Sequence, residues 1–287
     1  MINLRVGGVP EHFNLPWHLA IEQDLLSPLK VQIAWQDFGG GTGAMMQALR
    51  QEQLDIALVL TEGAVADIAK GNDARIVQVY VNTPLHWGIH VAADSDIQEI
   101  TTEIFDKKYA ISRFGSGSHL MALVHAAQHQ RSIAAEQWVQ VGNLDGAEKA
   151  LVQHQADVFM WERAMTQPLV DNGTFRRVGV CPTPWPCFVV VVRTKVLQEH
   201  SSLIHNILRV IGGVAQDFKN NPAAANMVAQ RYGLQVANAE KWRQETEWNY
   251  EATPPLHAQI EPAAQALFSL GIVEQQPLWN ELVQEIC

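Results

Sequence analysis

The residues best suited to chemistry in this 287-residue chain lie in short polar turns, each between an apolar run and a helical pattern. The first turn is Ser112-Arg113-Phe114-Gly115-Ser116-Gly117-Ser118-His119. Lys108 to Ser112 reads as a strand before it, and Ser118 to Gln130 as a helix after it. Such a junction gathers backbone N–H groups at one point, and the helix dipole adds partial positive charge. A sulfonate, phosphate or carboxylate is held there without a catalytic group. Arg113 adds a charge-assisted contact, and Ser116, Gly117, Ser118 and His119 complete the candidate. The same residues also read as a plain Ser-capped helix.

Three further turns share the setting. Asp37-Phe38-Gly39-Gly40-Gly41-Thr42-Gly43 puts Gly40, Gly41 and Thr42 where a backbone can approach a ligand closely. It lacks the Gly-Lys-Ser/Thr of a P-loop and the glycine spacing of a dinucleotide site. Thr61 and Glu62 follow the buried run Asp55 to Leu60, where open α/β sheets place ligands. Val9, Pro10, His12 and Phe13 hold the equivalent place after the first strand. In the middle of the chain, Trp161 and Glu162 follow one strand and Asn143 another. Trp161 reads either as a pocket wall or as core, and Glu62 and Glu162 either as ligand acceptors or as solvated acids. Trp87 and Trp185 could close over a ligand.

Support for catalysis is thin. There is no Gly-x-Ser-x-Gly elbow and no metal-binding His pair; His125 and His129 are four apart without a third ligand. An enzyme in the same scaffold would draw its acids and bases from Glu62, Glu162, His12 and His119. Neither cofactor nor metal is expected. Of three cysteines, Cys181 and Cys187 read as a bridge across a Pro-rich segment or as two buried thiols, and Cys287 ends the chain.

The elements that must position these turns alternate. Strands are expected at Asn3–Gly7, Lys30–Trp35, Asp55–Leu60 and Arg75–Val81, with helices at Pro16–Leu26, Thr42–Gln51 and Gly63–Lys70 between them. The middle repeats the pattern, with strands at Lys108–Ser112, Trp138–Val141 and Ala156–Trp161 and helices at Ser118–Gln130 and Asp145–His154. Leu54-Asp55-Ile56-Ala57 is echoed by Gln155-Ala156-Asp157-Val158, which suggests two similar α/β halves with largely parallel sheets. Val178–Thr194 holds two extended runs broken by Pro182, Pro184 and Pro186. Helices follow at Leu203–Lys219, Pro222–Tyr232, Asn238–Glu247 and Leu256–Leu270. One lobe is therefore expected from residues 1–90 plus 190–287 and the other from 91–189. Two extended crossings, near Trp87–Ala92 and Cys187–Arg193, suggest a hinge.

Composition bounds the function. Hydrophobic residues make up 47% and charged residues 17%, enough for a substantial core. A net charge of −10 argues against nucleic acid, whose phosphates call for a basic face. No apolar run reaches the roughly 20 residues of a membrane span. The first residues enter a strand pattern directly, without a signal-peptide pattern, so the chain is expected to be cytoplasmic or already processed.

Taken together, Gly39-Gly40-Gly41-Thr42, Leu54-Asp55-Ile56-Ala57, Thr61-Glu62-Gly63, Ser112 to His119 and Trp161-Glu162 resemble the substrate-binding proteins of ABC importers. The resemblance is to the taurine, aliphatic-sulfonate, nitrate and thiamine-pyrimidine-precursor branch. It implies a type II periplasmic-binding-protein fold, two α/β lobes on a two-strand hinge with a helical C-terminal region. It also implies a small anionic or zwitterionic ligand in a cleft between the lobes, a permease partner, a monomeric state and a periplasmic or extracellular location. The Cys-rich motif of the pyrimidine-synthase relatives is missing here. A cytoplasmic cofactor-free lyase or hydrolase, or a ligand sensor, is the alternative on the same fold.

Overall fold

The computed structural model describes residues 1–286; Cys287 lies outside the described residues. The chain divides into two compact units, Met1–Thr83 together with the chain from Pro184 onward, and Pro84–Thr183.

The first unit is built on the sheet β2-β1-β3-β10-β4. Its strands are β1 (Ile2–Gly8), β2 (Val31–Asp37), β3 (Ile56–Leu60), β4 (Ala74–Val81) and β10 (Phe188–Arg193). β1 runs parallel to β2 and β3, and β10 runs antiparallel to β3 and β4. Helices α1 (Leu15–Glu22), α2 (Gly41–Arg50) and α3 (Thr61–Ala69) connect the first four strands. Every residue of β10, Phe188-Val189-Val190-Val191-Val192-Arg193, is buried. A run without alternation is what an interior strand covered on both faces requires.

The second unit repeats the plan as β7-β6-β8-β5-β9. Its strands are β5 (His86–Ala92), β6 (Tyr109–Ile111), β7 (Trp138–Gln140), β8 (Val158–Glu162) and β9 (Phe175–Pro182), joined by α4 (Gly117–Gln128), α5 (Leu144–Val152) and α6 (Gln167–Asp171). Here β6 is parallel to β7 and β8, and β5 is antiparallel to β8 and β9. The echo at Asp55 and Asp157 has a physical basis. Asp55 donates its N–H to Arg5 O (2.9 Å), and its Oδ2 accepts the Arg5 N–H (2.9 Å). Asp157 makes the same reciprocal pair with Lys108, at 2.8 and 2.9 Å. In each unit an aspartate thus pins the start of one strand, β3 or β8, to its parallel neighbour, β1 or β6.

The helices that complete the first unit are α7 (Thr194–Asn220), α8 (Ala224–Tyr232), α9 (Val236–Glu245), α10 (His257–Ser269) and α11 (Trp279–Leu282). α7 packs on β10 and α1, and α10 packs on α3. Several boundaries differ from the sequence expectation. The helix expected at Pro16–Leu26 ends at Glu22, because Asp24 takes a left-handed φ of 53°. α7 begins at Thr194, not Leu203, and kinks at His200, where φ is −140° and ψ 25°. That break interrupts the 3.6-residue period and hides the first turns from pattern reading.

The expected crossings at Trp87–Ala92 and Cys187–Arg193 are instead interior strands, β5 and β10. The chain passes between units at Thr83–Pro84 and at Thr183–Pro184. Each unit ties the two departing segments together: Cys187 N–H donates to Thr83 O (3.0 Å) in one, and Thr183 N–H to Leu85 O (3.0 Å) in the other. Prolines next to the passage points have no N–H to extend either ladder. Cys181 and Cys187 are both free and buried.

Candidate functional site

In the second unit, the turn after β6 is held by its own serines. The Ser118 hydroxyl accepts the Ser112 N–H (3.0 Å) and lies 3.0 Å from the Ser116 hydroxyl. Ser116 is the N-cap of α4, its Oγ accepting the His119 N–H at 3.4 Å. Gly115 takes a φ of 75°, which favours glycine, and donates its N–H to His119 Nδ1 (3.2 Å). That bond fixes the neutral His119 ring with its proton on Nε2. Burial lowers the His119 pKa, which keeps the ring neutral. His119 meets Phe114 and Trp138 edge-on, with centroids 5.3 and 4.7 Å away, and Phe114 is 60% exposed at the tip of the turn. The Ser116 and Ser118 hydroxyls thus shape the turn. What it offers a ligand is the head of α4 at Gly117, with Arg113 half-buried beside it.

The other candidates of this unit are structural to different degrees. Asn143 caps α5, its Oδ1 accepting the Gly146 N–H (2.9 Å). Trp161 stacks on Phe159 (5.3 Å) and meets Trp87 edge-on (6.4 Å); Trp87 is buried in β5. Glu162, at the end of β8, is 6% exposed, and its Oε2 accepts the Met165 N–H at 2.6 Å. Burial raises its pKa, opposed by the N–H groups of Ala164 and Met165.

In the first unit, the carboxyl ends of β1, β2 and β3 face one edge, because these strands are parallel. Gly40 is the N-cap of α2 and offers no side-chain cap, and Gly41 takes a φ of 68°. The Thr42 hydroxyl accepts the Leu60 N–H (3.1 Å), locking the head of α2 against the end of β3. A Cβ on Gly63 would sit 2.4 Å from Thr42 Cγ2, so only glycine permits that approach. α3 follows β3 without a loop. Thr61 donates its hydroxyl to Pro186 O (2.6 Å) and its N–H to Cys187 O (3.0 Å). Segment 185–187 therefore lies along the head of α3. There the Trp185 indole N–H donates to Glu62 Oε2 at 2.8 Å. Glu62 is 2% exposed, its Oε1 has no hydrogen-bond partner among the described residues, and burial pushes its pKa up to about 7.

The turn after β1 departs from expectation. His12 and Phe13 enter the core instead of rimming a site. A short 3-10 turn leads straight into α1, with Pro16 in its first turn, and tucks both rings inward. His12 is fully buried, 4.3 Å from Trp242 and 4.9 Å from Phe13, and burial drives its pKa down to about 3. Val9 is buried, its carbonyl accepting from Asn14 Nδ2 (2.8 Å), while Pro10 is exposed. Sequence reasoning missed the Trp185–Glu62 pair, because 123 residues separate the partners. It also missed Arg177, whose Nε donates to the buried His90 Nε2 (3.3 Å) and whose guanidinium reaches Gln167 and the Arg163 carbonyl. No group of side chains suited to holding a metal ion occurs among the described residues. No helix among them is long and apolar enough to cross a membrane.

Two five-stranded sheets of one pattern, each with an antiparallel fourth strand, make this a type II periplasmic-binding-protein fold. The Ca3427-like PBP family model matches residues 87–181. The Candida albicans CA3427 gene product, which has the generic periplasmic-binding-protein fold, superposes with a TM-score of 0.91 at 25% identity, over 100% of this chain and 97% of that one. The alkanesulfonate-binding protein SsuA of Xanthomonas axonopodis pv. citri, bound to MOPS, gives 0.80 at 17% identity, over 99% of each chain. The nitrate-binding protein NrtA of Synechocystis PCC 6803 gives 0.71 at 13%, over 98% of this chain and 84% of that one. No curated protein matches the chain in sequence.

Proposed function

We propose that the protein binds a small anionic or zwitterionic solute without transforming it and delivers it to an ABC permease. In this reading it acts as a monomer on the periplasmic or extracellular side of the membrane. The observation that carries the reading is the Ser112–His119 turn. Its hydroxyls are held by one another and by backbone, so the head of the 12-residue helix α4 is fixed in advance of any ligand. A fixed set of N–H groups with the helix dipole behind it favours an anion at little reorganisation cost. The uncapped head of α2 at Gly40, Gly41 and Thr42 offers a second set of free N–H groups, in the first unit. An SsuA relative that holds MOPS and an NrtA relative that binds nitrate make sulfonates and small oxyanions the first classes to test.

The test is isothermal titration with alkyl sulfonates, phosphonates, carboxylates and nitrate. Ser116→Ala with Ser118→Ala is expected to weaken the bound anion by about 1–3 kcal/mol, through loss of the turn's shape. Unchanged affinity moves the site elsewhere. Turnover of a compound, with no stable binder, overturns the reading in favour of an enzyme. The observation favouring an enzyme is Glu62, whose carboxyl is pushed up to about 7, a range that suits a general acid or base. His12 is sealed in the core and Glu162 is tied to backbone, which removes two of the other candidates.

A further inference from the structure

We infer that Glu62 reads the cationic end of the solute, its Oε1 accepting an N–H of an ammonium group, so that the solute is a zwitterion. This rests on the binding reading above and narrows its ligand class. The argument starts from an internal comparison. Glu62 and Glu162 both stand where the third strand of their sheet gives way to the next element, and both are almost fully buried. Glu162 is answered by its own chain, through the N–H groups of Ala164 and Met165. Glu62 Oε2 accepts the Trp185 indole N–H, and Oε1 is left without a partner among the described residues.

A buried carboxylate with one unanswered oxygen and no fixed cation is costly, because desolvation is not repaid by a counter-charge. Asp55 shows how this fold treats an acid of purely structural role: two nitrogens of the Arg5 side chain and the Arg5 N–H satisfy it. At Glu62 the missing partner is a donor with positive charge. An ammonium meets both needs, and a neutral alkyl chain meets neither. Glu62 lies in the first turn of α3, next to Gly63, whose backbone packs against the Thr42 methyl at the head of α2. An anion at α2 and an ammonium at Glu62 therefore belong to one short molecule. Because Glu62 is covered, the Trp185 indole must move aside to admit the amine.

Three isosteric pairs test this on the intact chain: 2-aminoethanesulfonate against propane-1-sulfonate, 2-aminoethylphosphonate against propylphosphonate, and 3-aminopropanoate against butanoate. For the headgroup that binds, the amine member is expected to bind roughly 10- to 100-fold tighter. Glu62→Gln is expected to abolish that preference while leaving the alkyl member within about twofold. Glu162→Gln is expected to keep the preference intact. Equal affinities in the wild type, a preference that survives in Glu62→Gln, or its loss in Glu162→Gln each overturn the inference. If an alkyl anion binds and its amine partner does not, the inference fails while the binding reading stands. If nitrate alone binds, the inference likewise fails while the binding reading stands; if neither nitrate nor any pair binds, both fail. Thermal melting of Glu62→Gln, an isosteric change that retains an acceptor for Trp185, checks the fold; should that variant not fold, equal wild-type affinities within a pair remain decisive.

Discussion

The two units share a strand order but finish their corners differently. In the unit of β6, polar side chains close the helix heads: Ser116 caps α4 and Asn143 caps α5. In the unit of β1, α2 and α3 begin with no side-chain cap from Gly40 or Leu60. The buried glutamates differ in the same sense, Glu162 being answered by backbone and Glu62 only in part. At these corners the second unit answers its own polar groups, whereas the first leaves the heads of α2 and α3 uncapped and one oxygen of Glu62 without a partner among the described residues. Repetition of a fold makes the exceptions informative, because the second copy shows what a purely structural solution looks like.

The largest test concerns one buried histidine from each unit, His12 and His90. His12 and His90 are held at pKa values of about 3 by burial, against about 6.5 unfolded. Depressed values mean that the unfolded chain binds more protons below pH 6.5. Stability is complete above that pH and falls as pH drops toward 3, by roughly 3–5 kcal/mol for each histidine. Thermal melts from pH 7 to pH 4 read this loss, and His12→Asn and His90→Asn should each flatten it. An unchanged slope would mean that the ring is charged or wet in the folded protein.

The paired aspartates come next. Asp55→Ala removes an acceptor from the Arg5 N–H and from its guanidinium, whereas Asp157→Ala removes one from the Lys108 N–H. Denaturant unfolding should show a loss of about 2–3 kcal/mol for the first and about 1 kcal/mol for the second; equal losses would make the Arg5 contacts inert. The smallest effects are at the helix caps. Asn143→Ala should cost about 1 kcal/mol, while in Gly40→Ser a Cβ 3.0 Å from Ala44 Cβ offsets the few tenths gained from a cap and leaves stability nearly unchanged. A destabilising Gly40→Ser would show that the bare cap is demanded by local geometry.

Much of this was legible in the residues. Alternating strands and helices gave the parallel triplets, and Asp55 and Asp157 marked the repeat because a strand start needs the same acceptor in both places. The serine turn and the glycine turn were found because backbone-exposing residues cluster between an apolar run and a helix. Pairings across the chain were not legible. β10 reads as a buried strand, but nothing in five apolar residues states that it enters antiparallel between β3 and β4. β9 begins at Phe175, three residues before the extended run expected from Val178. Arg176 and Arg177 disguise that start, although their guanidinium groups bind carbonyls and polar side chains of the same unit. His12 looked like a ligand contact because histidine is read as polar, and only packing against Phe13 and Trp242 reveals it as an aromatic core residue.

The position of β10 bears on biosynthesis. β4 pairs along its length only with β10, which lies more than a hundred residues later. As the chain emerges from the ribosome, the unit Pro84–Thr183 is complete in one contiguous stretch and can close its sheet while its neighbour still has a gap. Until Phe188–Arg193 is made, β3 and β4 carry unfilled edges open to wrong partners. The nascent protein is therefore exposed to misassembly for as long as its second unit is being made.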